Sequence, residues 1–107
     1  MKYNIKFMFE YSEIYTCVWS INQEAANHFG GAYPISLDKL PITDDLRSKI
    51  VALCEEFQTS LNWDSPQAPS PWTEEHRKDF KKRATEAYSQ TVKELGDQYE
   101  VENWINI

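Results

Sequence analysis

The side chains best suited to chemistry are two histidines, His28 and His76, two cysteines, Cys17 and Cys54, and a large stock of carboxylates. A thiolate beside an imidazole could serve as a nucleophile with its base, and a close-spaced His/Cys set could hold zinc. Neither pattern is present. Each cysteine stands in an apolar pattern with no histidine or second cysteine two to four residues away, so both read as buried free thiols of a reducing compartment. His28 sits just before a glycine pair and His76 near the start of a predicted helix, in unrelated contexts. Asp44, Asp45, Glu55, Glu56, Asp64, Glu74 and Glu75 could act as general acid and base if two of them met in a cleft. Four of them, Asp44, Asp45, Glu74 and Glu75, have another use beside the positive end of a helix dipole, and Glu55 and Glu56 are expected on the solvent side of their helix. The only glycines are Gly30, Gly31 and Gly96, so there is no glycine-rich phosphate loop. No catalytic residue, metal ligand or cofactor is assigned. A hydrolase using a carboxylate with His28 or His76 would need a nucleophile and base at recognisable spacing, which the chain lacks.

Recognition chemistry is better represented. Trp63 and Trp72 flank Pro66, Pro69 and Pro71, and could form a rigid exposed surface, because tryptophan is enriched at binding hot spots and proline lowers the entropy lost on binding. The alternative is that both indoles cap helix ends and tether the loop to the core, and the usual burial of tryptophan favours it. Charge is segregated: Arg77, Lys78, Lys81, Lys82 and Arg83 lie within seven residues, and without them the chain carries 6 cations against 17 carboxylates. The cationic run is expected to be a solvated helix face. The net charge of -6 argues against a general nucleic-acid coat and suits a basic partner, whose approach it would steer.

These residues must be positioned by the following elements. Tyr3, Ile5, Phe7 and Phe9 alternate with Lys2, Asn4 and Lys6, the period of a strand with one covered face. Ile14 to Trp19 is rich in β-formers and close enough to close an antiparallel hairpin. Asn22 to Phe29 predicts a short helix with Asn22 as cap, Ala25, Ala26 and Phe29 inside, and Gly30-Gly31 as stop. Thr43 caps a helix from Asp44 to Leu61 whose stripe is Leu46, Ile50, Leu53, Phe57 and Leu61. The proline-rich stretch from Asn62 to Trp72 is a loop. Thr73 caps a second long helix, with Phe80, Ala84, Ala87, Tyr88, Val92 and Leu95 inside and Gly96 as stop. Tyr99 to Ile107 alternates weakly and predicts a third strand.

The expected architecture is therefore α+β: a small antiparallel sheet, made of an N-terminal hairpin plus a C-terminal strand, packed on two long helices and one short one. At 107 residues the chain is one domain, 1–107, and its aromatic content of 14% supplies a core without crosslinks. Its apolar runs fall far short of the ~20 residues needed to span a bilayer, and Met1-Lys2-Tyr3-Asn4 lacks the features of a secretion signal, so no membrane association and a cytoplasmic location are expected.

Leu40-Pro41-Ile42-Thr43, the stripe of Leu46, Ile50, Leu53 and Phe57, Ser60-Leu61-Asn62-Trp63-Asp64, Pro69-Ser70-Pro71-Trp72 and Glu94-Leu95-Gly96 together resemble a group of small bacterial proteins. That group includes immunity proteins of toxin systems, such as those of contact-dependent growth inhibition. The resemblance spans mainly Leu40 to Val101. It implies a non-enzymatic, cytoplasmic protein that binds a cognate toxin domain and blocks its active site, and it carries over no individual functional residue. A small acidic domain suits a stoichiometric inhibitor of a basic nuclease toxin. The residues expected to meet the toxin are Glu55, Glu56, Trp63, Asp64, Trp72, Glu100 and Glu102. The competing reading is a small interaction or regulatory module, homodimeric through its sheet edge.

Overall fold

The structure, a computed structural model, describes residues 3–29 and 34–105. Its elements run β1 (Tyr3–Phe7), β2 (Val18–Ser20), α1 (Gln23–His28), a single 3-10 turn at Leu37–Lys39, α2 (Asp44–Gln58), α3 (Glu74–Leu95) and β3 (Tyr99–Asn103). The strand order is β2-β1-β3. β1 and β2 form the expected antiparallel pair, with Ile5 opposite Ser20 and Phe7 opposite Val18. The sheet is nevertheless mixed, because β3 lies parallel to β1 with Tyr3 opposite Tyr99 and Phe7 opposite Asn103. This corrects the antiparallel expectation. The physical reason is α3, which carries the chain back to the end of the sheet where β1 begins, so that β3 starts there too. Parallel neighbours need such a crossover, whereas a hairpin needs only a turn.

β1 buries Ile5 and Phe7 completely, and Phe9 continues the same face beyond the strand. Onto that face pack Leu46, Ile50 and Phe57 of α2 and Phe80, Ala84 and Ala87 of α3. Aromatic edges fix the layer: Phe9 meets Phe80 at 5.2 Å between ring centres, and Phe7 meets Tyr88 at 5.8 Å. Such edge-to-face pairs place positive ring edges against negative ring faces. The Tyr88 hydroxyl donates to the Val101 carbonyl at 2.7 Å, tying α3 to the edge strand. Thr91, rather than Val92, completes the α3 stripe. It is fully buried, and its hydroxyl is satisfied by the Ala87 carbonyl at 2.8 Å, while Val92 is 41% exposed.

The caps follow their sequence signals. Asn22 accepts from the Ala25 amide, Thr43 from Leu46 and Thr73 from His76, each relieving one orphan donor at a helix start. At the end of α3, Gly96 adopts φ 77°, and its amide bonds the Val92 carbonyl. A side chain would strain that backbone. The Gly30-Gly31 stop lies outside the described residues, as do the strand residues expected at 106 and 107. α2 ends at Gln58, three residues before the predicted Leu61, because its last carbonyls take the amides of Thr59, Ser60 and Leu61 three residues on, a tighter turn that side-chain hydroxyls reinforce. The carbonyls of Glu56 and Phe57 accept the hydroxyls of Thr59 and Ser60. β2 is also shorter than predicted, and Thr16 and Cys17 are drawn into the core ahead of it. Among the described residues no helix is long and apolar enough to cross a membrane.

Candidate functional site

The C-terminal end of α2 and the N-terminal end of α3 gather five of the seven residues singled out from the sequence. Glu56 does not face solvent as expected. Its carboxylate lies between the helices, taking both forks of Arg83, Nη1 at 2.8 Å and Nη2 at 2.7 Å, and meeting His76 Nε2 at 2.8 Å. Arg83 also donates through Nε to Asp79 at 2.8 Å. The bidentate guanidinium holds the Glu56 carboxyl below the usual carboxylate range, with the His76 bond adding and partial burial opposing. Glu56 is thus occupied as an interhelical tie. One residue earlier, Glu55 points to solvent.

The two tryptophans part ways. Trp72 is a core residue, 8% exposed, stacked on His76 with ring centres 4.1 Å apart and donating from Nε1 to the Thr59 hydroxyl at 2.8 Å. Little of its surface is left for a partner, because tethering the loop across the gap between α2 and α3 uses both its ring and its N–H. Trp63 is also tethered, its Nε1 donating to the Gln58 carbonyl at 2.7 Å as a cap on α2, yet 52% of it is exposed. Both indoles therefore serve as helix-end tethers, and one keeps an open face. Asp64 beside it is exposed.

Glu100 and Glu102 stand elsewhere, on the face of β3 turned away from the helices, opposite Asn4 and Lys6. Glu102 accepts from the Trp104 indole at 3.0 Å, and the Lys6 ammonium lies 4.4 Å from the centre of that indole.

The segment between β1 and β2 supplies residues that were not singled out. Tyr11 stacks on Phe57 at 4.7 Å and meets Trp63 edge-on at 6.0 Å. Its hydroxyl shares a hydrogen bond with Ser60 at 3.1 Å. Gln58 clamps the segment to α2: its Oε1 accepts from the Ser12 amide at 2.7 Å, and its amide donates to the carbonyls of Glu10 and Glu13 at 3.0 and 3.3 Å. The signal for Tyr11 was available, since it extends the odd-position series Tyr3, Ile5, Phe7 and Phe9. Gln58, one polar residue on a helix, carried no comparable signal.

His28 is stacked on Tyr3 at 4.2 Å, and the two cysteines are buried as free thiols. Among the described residues no group of three or more His, Cys, Asp or Glu side chains could hold a metal ion. A groove of about 330 Å³ runs between α2 and α3, floored by Ala52, Leu53 and Ala87 and rimmed by Lys49, Arg83, Glu86 and Gln90. Arg77, Lys78, Lys81 and Lys82 form no ion pair among the described residues, whereas Arg83 is fully committed.

By architecture this is a small α+β protein, a mixed three-stranded sheet backed by two long helices, with acidic and aromatic side chains displayed around it. The chain belongs to the Serratia CdiI immunity protein-like family, whose model matches residues 3–105. A comparison with curated proteins gave no match. Family membership supports a role in immunity and implies a cognate toxin as partner.

Proposed function

We propose that the protein is a non-enzymatic cytoplasmic immunity protein that binds a cognate toxin domain directly and neutralises it. The carrying observation is the family match across nearly the whole described chain. Charge narrows the partner. With 17 carboxylates against 11 cations the protein attracts a basic surface, and a nuclease domain, which must bind polyanionic nucleic acid, presents one. The toxin-facing residues in this reading are the exposed members of the expected set, Glu55, Trp63, Asp64, Glu100 and Glu102. Glu56 and Trp72 support them from behind, the first as the tie between α2 and α3 and the second as the anchor of the loop.

The test is growth protection. A toxin-like reading frame, sought in the genome beside the gene, is expressed from an inducible promoter with or without this protein, and the purified pair is titrated by calorimetry at low and high salt. Restored growth and a one-to-one complex that weakens as salt rises are expected, since ions screen complementary surface charge. Persistent growth arrest with the immunity protein in excess would refute the reading.

A further inference from the structure

We propose that Tyr11 and Trp63 form a seat for an arginine or lysine side chain of a basic protein partner, which is the toxin if the reading above holds. The two rings are 38% and 52% exposed and meet edge-on at 6.0 Å. Their polar atoms are already engaged, the Trp63 N–H with the Gln58 carbonyl and the Tyr11 hydroxyl with Ser60. What they offer outward is π-electron surface without a donor. Carboxylates adjoin them in the chain: Glu10 precedes Tyr11, Asp64 follows Trp63, and Glu13 lies on the segment that Gln58 clamps. Glu10 and Glu13 each spend one oxygen on a local amide, of Tyr11 and Tyr15 respectively, and keep the other without a donor among the described residues. Asp64 has neither oxygen engaged in a side-chain bond there. A ring face bordered by carboxylates attracts a cation and repels an anion.

The molecule builds the same arrangement once for itself. Just past the end of β3, Trp104 is 48% exposed, its N–H is taken by Glu102, and Lys6 lies over its ring at 4.4 Å. There the cation is internal. Among the described residues no cation lies over Tyr11 or Trp63, so the partner supplies it.

The seat is also held in place. Ser12 adopts φ 74°, outside the range most residues favour, and its amide is fixed by Gln58, while Tyr11 is stacked at 4.7 Å on the buried Phe57. A fixed aromatic pair loses little entropy when an arginine settles on it.

The probe is a hexa-arginine peptide titrated into nitrogen-labelled protein, with a hexa-glutamate peptide as control. The Trp63 indole N–H and the Tyr11 amide should shift together on one saturable curve. Tyr11→Leu should weaken binding about tenfold, within the range of a cation–π contact. Trp104→Leu should leave the affinity unchanged, and the Phe9 and Phe80 signals report that each variant is folded. Shifts confined to Glu100 and Glu102, or a Tyr11→Leu variant that binds as well as wild type, would overturn the seat. Absent binding at Trp63 with growth protection intact removes the seat alone; intact binding with protection absent removes the immunity reading alone.

Discussion

Arg83 of α3 grips Glu56 of α2 with both guanidinium forks, at 2.7 and 2.8 Å, and this pair is the polar hinge-pin of the interface between the two long helices. It sits at the rim of the core beside Trp72 and Phe80, partly screened from water, where a planar fork matched to a carboxylate outperforms a mobile surface pair. His76 completes the arrangement from the first turn of α3, sandwiched between the Trp72 ring and the Glu56 carboxylate.

The pair should therefore show measurable coupling. Glu56→Gln and Arg83→Met are each expected to cost about 1 kcal/mol in urea unfolding, and the double variant less than their sum, because part of each single loss is the unpaired partner left behind. Charge reversal at the exposed Glu55 should change stability by less than about 0.5 kcal/mol. Additive losses across the cycle would mean that the forks contribute no interaction energy.

Acid should act through the same carboxylate. The folded state holds the Glu56 carboxyl below its ordinary value of 4.5, chiefly through Arg83, and Glu94 is lowered as well by the Thr43 amide. A lowered folded value means that the unfolded chain takes up protons first. The contribution is complete above about 4.5 and is lost as pH falls below it, through the folded values. Thermal melts from pH 7 to 3 should show stability falling over that acid range, and Glu56→Gln should flatten the fall. An unchanged acid limb in Glu56→Gln would assign the acid sensitivity to other groups.

Thr43 has two duties, capping α2 through the Leu46 amide and joining α3, since both its amide and its hydroxyl donate to the Glu94 carboxylate at 2.7 and 3.1 Å. Thr43→Ala should cost about 1 kcal/mol, the usual loss for a helix cap, and Thr43→Ser should restore most of it. Equal losses in the two variants would indicate that the methyl group, rather than the hydroxyl, carries the effect.

What the chain disclosed in advance was whatever is local. Thr43 and Thr73 announce their helices, Gly96 its stop, and the spacing of Leu46, Ile50, Leu53 and Phe57 its buried face, because cap chemistry and helical period act within a few residues. The parallel course of β3 was hidden, since strand direction depends on where α3 delivers the chain. The reach of Glu56 to Arg83, 27 residues away, was hidden for the same reason: two helix phases must match in space. Thr91 displaced Val92 from the core because a hydroxyl that bonds the carbonyl one turn back loses its polar cost, and apolar periodicity does not register that. At the recognition surface, Trp63 could be singled out by its rarity and its proline-rich setting, but its neighbour Tyr11 arrives from a segment 52 residues away, delivered by the hairpin.

Cys17 and Cys54 should behave as one buried pair. Burial pushes the Cys17 thiol well above the ordinary thiol range, and its contact with Cys54 pushes it further. Both residues are essentially inaccessible, at 0% and 1% exposure. A maleimide should label neither thiol in the native protein at neutral pH and both in concentrated urea, counted by intact mass, because only the exposed thiolate reacts. Rapid labelling of the native protein would show that the segment leading into β2 opens locally rather than with the whole domain.

Gln58 links the fold to the recognition surface more directly than any other side chain. Its amide group bonds the backbone at Glu10, Ser12 and Glu13, and its own carbonyl holds Trp63. Gln58→Ala retains that carbonyl, so Trp63 should stay in place while the segment carrying Tyr11 loses three hydrogen bonds. With each bond contributing about 1 kcal/mol at most once water competes, the global loss should be about 1–2 kcal/mol. The local effect should be larger. Amide exchange at Ser12 should accelerate by at least about tenfold under native conditions, while amides of β1 and α3 slow to the global limit as before. If Ser12 exchanges at its wild-type rate in Gln58→Ala, stacking of Tyr11 on Phe57 is sufficient to hold the segment; if it accelerates and arginine-peptide binding weakens in parallel, the clamp sets how rigidly the aromatic seat is presented.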